Sequence, residues 1–290
     1  MAIKGAIIGD IIGSQFEFHN IYADKKIAPQ DIVLYANKDT ICCGYNDNKT
    51  AILLTDKCEF TDDTVLTLAT KYAIMHDKPF AEVYAKFGKK YPHKGFGGMF
   101  LDWLDTDHTQ PYNSFGNGSA MRVSYIADYY DNIVDVLINA RRSAACTHNH
   151  PEGILGAEVT AACIWLAKNG RTKEQILEYV IAQYPKEEYA YSPEIPLAQM
   201  REYYHWDVTC QGSVPAAIRC VYEANNYTEF IRNVLSLKCD TDTLCAIGGG
   251  IAEELFDNSN DPIMTQANEI LNKYLDGYLL DILKNKNNCK

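Results

Sequence analysis

Two segments far apart in the chain, "EFTDDTVLTLA" and "KCDTDTLCAIGGG", each place aspartates and threonines at the start of an apolar run of helical period. The candidate ligands they supply are Thr61, Asp62, Asp63, Asp240, Asp242 and Thr243. Helix capping would explain one such site, because Asp and Thr accept hydrogen bonds from free N–H groups at a helix start. Two sites carry more negative charge than capping requires, and crowded carboxylates repel one another unless a cation neutralises them.

These side chains offer oxygen atoms only, which favours Mg²⁺, Mn²⁺ or Ca²⁺ over zinc. Four carboxylates can hold two metal ions about 3.5–4 Å apart, a spacing that clamps two oxygens of a substrate. The two segments therefore predict a binuclear metal centre, provided that the two helix starts meet in the fold. Spacing along the sequence does not decide whether they meet.

Two glycine-rich segments are candidates for substrate contact. In "NSFGNGSAMRV", residues 113–123, small residues precede a helical run and resemble an anion cradle of backbone N–H groups. A tight turn is the alternative, and a dinucleotide fingerprint is excluded because no strand precedes the segment and the third glycine is missing. In "HKGFGGMF", Phe96 is available to stack on a base or sugar.

The segment "CTHNHPEG" brings two histidines close together in the sequence, His148 and His150. A zinc site is disfavoured, because residues i and i+2 do not share a helix face and no third ligand follows at zinc-like spacing. We expect His148 to contact substrate or to hydrogen-bond near it, and a purely structural role is the alternative.

The global composition narrows the class of protein. The 290 residues are 47% hydrophobic and carry a net charge of -11, so no basic footprint for nucleic acid or an anionic membrane is present. The first apolar run is interrupted by Asp10 and lacks a signal-peptide cleavage site, and no later segment is long enough to span a bilayer. The ten cysteines include no C-x-x-C pair, which indicates reduced thiols. We expect a cytoplasmic monomer with no nucleic-acid or membrane partner.

Apolar spacing predicts helix for most of the chain. Residues at i, i+3, i+4 and i+7 form stripes that begin at Val65, Ile133 and Leu244. Residues 154–167 are apolar nearly all round, which is typical of a central helix, and further helices are predicted over residues 172–183, 214–224 and most of 264–284. Strands are predicted only near Ile32 and Ala51. The sequence therefore predicts an all-α fold, a single domain over residues 1–290, and long functional or mobile loops over 19–60 and 185–213.

Seven motifs occur in the order found in ADP-ribosylglycohydrolases: "GAIIGDIIGSQFEF", "FTDDT", "GFGG", "SFGNGSAMRV", "THNHPEGILGAE", "SVPAAI" and "CDTDTLCAIGGGIA". The chain resembles that family from about Gly5 to Ala252. The resemblance implies a compact orthogonal bundle of helices in which the two aspartate motifs meet around a binuclear Mg²⁺ or Mn²⁺ centre. It also implies hydrolysis of the glycosidic bond between ADP-ribose and an acceptor, with an ADP-ribosylated protein or small molecule as the substrate.

The resemblance assigns roles to individual residues. The implied metal ligands are Thr61, Asp62, Asp63, Asp240, Asp242 and Thr243. The implied catalytic residues are Glu17, Asp62 and Asp63. The implied substrate contacts are Gly97, Ser114, Phe115, Gly116, Asn117 and His148. Residues 114–117 would hold the diphosphate, Gly97 would approach the distal ribose, and His148 would contact that ribose or the phosphates.

The sequence departs from the family pattern at Lys238 and Cys239, where glycines are usual, and Asp102 and Asp105 cannot be aligned with a further catalytic acid. We expect arginine as the acceptor, because the short chain and plain aspartate motifs resemble the bacterial arginine-directed branch. A protonated arginine also leaves without a strong general acid, whereas a serine alkoxide needs one. The alternatives are serine- or nucleobase-linked ADP-ribose, phosphohydrolysis of a nucleotide diphosphate, and non-catalytic binding of ADP-ribose.

Overall fold

The computed structural model describes residues 2–36 and 49–285, and within these residues the chain is mainly helical. Fifteen α-helices are described: α1 (Ala2–Gly13), α2 (Ile21–Asp24), α3 (Asp62–Met75), α4 (Phe80–Lys90), α5 (Gly98–Leu104), α6 (Ser124–Tyr129), α7 (Ile133–Ala145), α8 (Pro151–Lys168), α9 (Lys173–Gln183), α10 (Leu197–Tyr203), α11 (Cys210–Tyr222), α12 (Tyr227–Leu235), α13 (Thr241–Leu255), α14 (Ala267–Tyr274) and α15 (Gly277–Lys284). Short 3-10 turns cover Pro29–Asp31, Asn117–Ser119 and Met264–Gln266. The predicted all-α fold is confirmed.

One small sheet accompanies the helices. Strands β1 (Val33–Tyr35) and β2 (Thr50–Ile52) pair in parallel, with Val33 opposite Thr50. Both predicted strand positions are therefore confirmed. Part of the predicted 19–60 loop, including Cys42 and Cys43, lies outside the described residues.

Helix α8 lies at the centre of the bundle, as its uninterrupted apolar sequence predicts. It contacts α6, α7, α9, α11 and α13. Its N-cap is His150, whose side chain accepts a hydrogen bond from the backbone N–H of Glu152, and Pro151 occupies the first helical position. The capping role gives His150 a structural function.

The α1 and α13 backbones touch, because glycines occupy the contact positions. A Cβ atom at Gly5 would lie 2.3 Å from the carbonyl oxygen of Gly249, and one at Gly9 would lie 2.1 Å from that of Cys245. At the end of α1, the Thr241 hydroxyl donates a hydrogen bond of 2.9 Å to the Gly13 carbonyl. The carboxyl end of α1 is therefore held at the start of α13.

Several element boundaries differ from the sequence prediction. Helix α11 begins at Cys210 instead of residue 214, because the Thr209 side chain caps it by accepting from the Gly212 N–H. The single helix predicted over most of 264–284 is divided into a 3-10 turn, α14 and α15, since Asp276 caps a new helix start. Helices α2, α4, α5, α6, α10 and α12 lie in segments for which no helix was predicted.

Seven cysteines lie in the described part of the chain, and none of them forms a disulfide with another. Cys289 lies outside the described residues. None of the helices in residues 2–36 and 49–285 combines the length and apolar character needed to cross a bilayer. The single-domain organisation over residues 1–290 stays a prediction.

The contact between α1 and α13 predicts a large effect for Gly9→Ala. Alanine favours helix over glycine by about 1 kcal/mol, but its Cβ would meet the Cys245 carbonyl at 2.1 Å. We expect the clash to dominate and to lower the free energy of unfolding by about 3 kcal/mol or more, measured by denaturant titration.

The matched control is Gly277→Ala in α15, where a Cβ would meet nothing within 4 Å. This variant should be as stable as the parent or slightly more stable. Equal stability of the two variants would contradict backbone contact between α1 and α13.

Candidate active site

The starts of α3 and α13 meet at the inner end of a cleft of about 450 Å³. Glu17, Asp63 and Asp242 line this end, and residues 112–118 form a wall. The N-cap of α13 is Asp240, but its side chain makes no capping hydrogen bond. Capping therefore does not explain the acidic residues of the second motif.

The buried carboxylates form two overlapping groups. Asp10, Asp63 and Asp242 make up the first, here called the Asp63 group, and Glu17, Asp240 and Asp242 make up the second, the Glu17 group. In each group one ligand oxygen per residue lies within 4.8 Å of the others. Because Asp242 belongs to both, the arrangement can hold two neighbouring cations that share one carboxylate.

Free coordination capacity at Asp63 supports the metal assignment. Its Oδ1 atom is buried and has no hydrogen-bond partner among the described residues, whereas Oδ2 accepts from the Thr243 hydroxyl at 3.4 Å and lies 3.2 Å from the Thr61 hydroxyl oxygen. A buried carboxylate oxygen without a partner is costly unless a cation or water satisfies it. The donor set consists of oxygen atoms, so the residues present fit a hard divalent cation.

Asp10 is a site residue that sequence reasoning missed. It lies on the buried face of α1, where its carboxylate accepts hydrogen bonds from the backbone N–H groups of Thr61 and Thr64, both at 3.0 Å. The hydroxyls of the same two threonines also donate to it. An aspartate inside an otherwise apolar helix was the available signal, but its place at the site depends on contacts from α3 that the sequence does not display.

Thr61 and Asp62 of the first aspartate motif differ in where they lie relative to the cleft. Thr61 lies behind the cleft wall, where its hydroxyl donates to Asp10 at 2.7 Å and caps α3 by accepting from the Asp63 N–H. Asp62 lines the cleft beside Gly95, but it belongs to neither carboxylate group. The capping interpretation thus holds for Thr61, and the ligand roles of Thr61 and Asp62 stay predictions.

Burial and mutual repulsion shift the acid equilibria of these carboxyls. Burial raises the pKa of Asp10 to about 6. Burial and then the charges of Asp240, Asp10 and Glu59 raise the pKa of Glu17 to about 7. Burial, reinforced by neighbouring carboxylates, raises the pKa of Asp63 and of Asp242 well above the ordinary value. Without a cation the site therefore favours protonated acids, and a divalent ion relieves this strain.

The loop predicted to hold a diphosphate lies along the cleft. Ser114, Phe115, Gly116 and Asn117 all line it. A short antiparallel bridge holds the loop: the Asn117 N–H donates to the Val208 carbonyl and the Cys210 N–H donates to the Phe115 carbonyl, both at 2.8 Å. The Asn117 amide also donates to Asp240 at 2.8 Å, which links the loop to the Glu17 group.

Gly97 and His148 also line the cleft, so each residue implied as a substrate contact faces the same space. Sequence reasoning missed three further residues that line it: Tyr112, Arg122 and Trp206. Arg122 lies inside the quoted motif "SFGNGSAMRV" but was given no role, and Tyr112 and Trp206 come from irregular segments that no motif marks. Phe96, proposed to stack on a base, is instead buried against Phe100 with ring centroids 4.8 Å apart.

The departures from the family pattern are not among the residues that line the cleft. Lys238 forms an exposed salt bridge of 3.2 Å with Asp24, and the buried Cys239 thiol lies 3.6 Å from the Val234 carbonyl oxygen. Asp102 and Asp105 are exposed on and just after α5 and are not among the cleft residues. Neither aspartate is placed to serve as an additional catalytic acid.

The family model for ADP-ribosylglycohydrolase matches residues 1–252. The chain belongs to the ADP-ribosylglycohydrolase family. Membership in this family makes it a hydrolase. A solved structure titled ADP-ribosylglycohydrolase-related protein complex superimposes with a TM-score of 0.64 over 93% of this chain and 92% of that chain. Its sequence identity is 20%, so it shows the family fold.

Curated relatives carry the name ADP-ribosylhydrolase ARH3. The protein from Mus musculus is 26% identical, with 86% of this chain and 81% of that protein aligned. The protein from Homo sapiens is 29% identical, with 60% of this chain and 50% of that protein aligned. Both relatives are animal proteins, and their shared name does not state an acceptor.

The shifted carboxyls predict how metal-free stability depends on pH. Their pKa values are raised in the folded state, so their stabilising contribution is present below the unfolded values near 4 and is lost as pH rises through about 6 for Asp10 and about 7 for Glu17. We expect the Tm of chelated protein to fall between pH 5 and pH 8. Saturating Mg²⁺ or Mn²⁺ should restore several degrees at pH 8 and less at pH 5.

The comparison variant for this titration is Asp242→Asn, which removes the carboxylate shared by both groups. It should show a flatter Tm profile without metal and little gain from Mn²⁺. The exposed Asp257→Asn, which loses only a local turn contact to Ser259, should behave like the parent. A metal-induced gain of equal size in Asp242→Asn would contradict the binuclear assignment.

Proposed function

We propose that the protein is a divalent-metal-dependent hydrolase that cleaves the glycosidic bond between ADP-ribose and an acceptor. The observation that carries this proposal is the pair of carboxylate groups joined at Asp242, located at the inner end of a cleft walled by a glycine-rich loop. The cleft volume of about 450 Å³ suits a nucleotide-sized ligand. The names of the curated relatives, ADP-ribosylhydrolase, agree with the proposed reaction.

The proposed metal ligands are Thr61, Asp62, Asp63, Asp240, Asp242 and Thr243, with Mg²⁺ or Mn²⁺ as the ions. Ions bound there would supply a water of lowered pKa and fixed positions for the ribose hydroxyls. Asp10 positions the ligands of the first motif, because its carboxylate accepts hydrogen bonds from Thr61 and Thr64 and so holds the start of α3. Asp62 and Asp63 orient the attacking water from the wall of the cleft.

We assign proton transfer at the scissile bond to Glu17. Its half-buried side chain lines the cleft on the segment after α1, and its carboxylate lies within 4.8 Å of ligand oxygens of Asp240 and Asp242. Loss of the leaving group from the anomeric carbon passes through an oxocarbenium-like state, followed by attack of water. Glu17 is placed to give a proton to the leaving group or to accept one from the water.

We propose arginine as the acceptor, and an aromatic surface beside Glu17 supports it. Phe18, with 73% of its surface exposed, stacks on Trp206 with ring centroids 5.6 Å apart and planes inclined by 19°. Trp206 itself lines the cleft. A guanidinium group stacks well on aromatic faces and pairs with carboxylates such as Glu17, whereas a serine side chain offers neither contact.

Glu17→Gln tests the proposed chemistry. Removing the ionisable group should leave ADP-ribose affinity within about threefold and lower kcat by about 100-fold or more. Calorimetry reports the affinity, and product analysis on an ADP-ribosylated protein reports turnover. We expect intact ADP-ribose as the product of the parent enzyme.

The matched control is Glu59→Gln, since Glu59 is an exposed acid that pairs with Lys94 near the cleft. It should retain most of the turnover. If the product were AMP, the protein would be a phosphohydrolase and the glycohydrolase assignment would be wrong. A normal kcat in Glu17→Gln would show that Glu17 does not take part in the reaction.

Trp206→Ala tests the acceptor. The KM for an arginine-linked ADP-ribosyl peptide should rise about 5- to 10-fold, the range expected for a lost cation–π contact of about 1 kcal/mol, with kcat little changed. Trp206→Phe retains an aromatic face and should recover most of this loss. The KM for a matched serine-linked peptide should not respond to either variant. If the parent enzyme turned over the serine-linked peptide much faster than the arginine-linked peptide, arginine would be the wrong acceptor. The glycohydrolase assignment would still stand.

A further inference from the structure

A buried arginine lies in the cleft wall without a carboxylate partner among the described residues. Arg122 is 0% exposed, and its guanidinium lies 4.2 Å from the centroid of the Tyr84 ring. Its Nη2 atom donates to the Ser143 carbonyl at 2.7 Å and to the Thr147 hydroxyl at 2.8 Å. Arg122 therefore sits in a fixed place and carries its positive charge into the wall of the cleft.

The Thr147 hydroxyl links Arg122 to His148. A guanidinium can only donate, so the Thr147 oxygen is the acceptor in that contact and its own proton is directed elsewhere. His148 Nδ1 lies 2.8 Å from the Thr147 oxygen and the Ala144 carbonyl 3.4 Å from it, and the Tyr112 hydroxyl and the Cys146 thiol also contact Thr147. The shorter contact is the better hydrogen bond, so the hydroxyl donates to Nδ1.

This direction of donation requires the imidazole to carry its proton on the other nitrogen, Nε2. Burial and then the charge of Arg122 lower the pKa of His148 well below its ordinary value, which keeps the ring neutral near pH 7. A neutral imidazole has one N–H, and an Nδ1 that accepts leaves that proton on Nε2. The Nε2 edge faces the glycine loop of the cleft, since a Cβ atom at Gly118 would lie 3.2 Å from it.

We propose that Arg122 and Thr147 are positioning residues that hold His148 as an Nε2–H donor, directed at an oxygen of the substrate in the cleft. In this arrangement His148 neither accepts a proton from the substrate nor ligates a metal through Nε2. The inference rests on the proposed function only in taking ADP-ribose as the ligand, because the tautomer is a property of the free protein.

The tautomer is measured directly in the parent protein. Nitrogen NMR of protein labelled in its seven histidines resolves the two ring nitrogens of each, and His148→Gln identifies the His148 signals. We expect a protonated Nε2 and an unprotonated Nδ1 at pH 7, with the Nε2–H signal shifting when ADP-ribose is added. A protonated Nδ1, or a doubly protonated ring, would overturn the proposal.

Thr147→Val removes the hydroxyl at nearly constant volume and should release the fixed tautomer. We expect ADP-ribose affinity to fall about tenfold, in line with loss of one oriented hydrogen bond to a charged ligand. Thr147→Ser keeps the hydroxyl and should restore both the spectrum and the affinity to within about twofold.

Thr160→Val is the matched control, because the Thr160 hydroxyl on α8 is buried and has no hydrogen-bond partner among the described residues. It should change neither the His148 signals nor the affinity. An unchanged His148 spectrum and an unchanged ADP-ribose affinity in Thr147→Val would overturn the positioning role of Thr147. If that variant does not fold, the spectrum of the parent protein alone decides whether His148 carries its proton on Nε2. Absence of ADP-ribose binding in the parent would count against the proposed function, while the tautomer would still be decided by NMR.

Discussion

The backbones of α1 and α13 touch, and the glycines at their contact positions determine how close Asp10 of α1 lies to Asp242 of α13. Side chains at Gly5 and Gly9 would push the helices apart, since their Cβ atoms would fall within 2.3 Å of carbonyl oxygens of α13. Separation of the helices by even one methyl group would separate the carboxylates of the Asp63 group. The site therefore depends on a contact that has no polar side chain of its own.

The site also depends on Asp10, because its carboxylate joins α1 to α3. Its carboxylate satisfies backbone N–H groups at the start of α3 and places Asp63 beside Asp242. Several buried carboxyls then share a small space, which destabilises the folded state whenever they are ionised. A cation bound among these carboxylates would relieve their repulsion, so cation binding there would also raise folding stability.

The helical fold and the two aspartate motifs could be predicted from sequence because their signals are local, whereas Glu17 and Gly97 were assigned through the family resemblance. The spacing of apolar residues at i, i+3, i+4 and i+7 predicts helices, and aspartates and threonines at helix starts indicate candidate cation ligands. Asp10, Arg122 and Trp206 could not be found in this way, because each acquires its place from partners distant in sequence. The break between α14 and α15 was missed for a different reason: a cap at Asp276 overrides a continuous apolar pattern. Phe96 was misjudged because exposure cannot be read from residue type.

The backbone bridge between residues 115–117 and 208–210 has a consequence for sequence changes in the segment before it. It joins the glycine loop to the end of the irregular segment that carries Trp206, and it continues directly into α11. Residues 185–206 precede this joint, so insertions or exchanges there leave the loop hydrogen bonds in place. Under the proposed function, a change in the segment that carries Trp206 would alter the contact with the acceptor, while the bridge would keep the glycine loop in the same position.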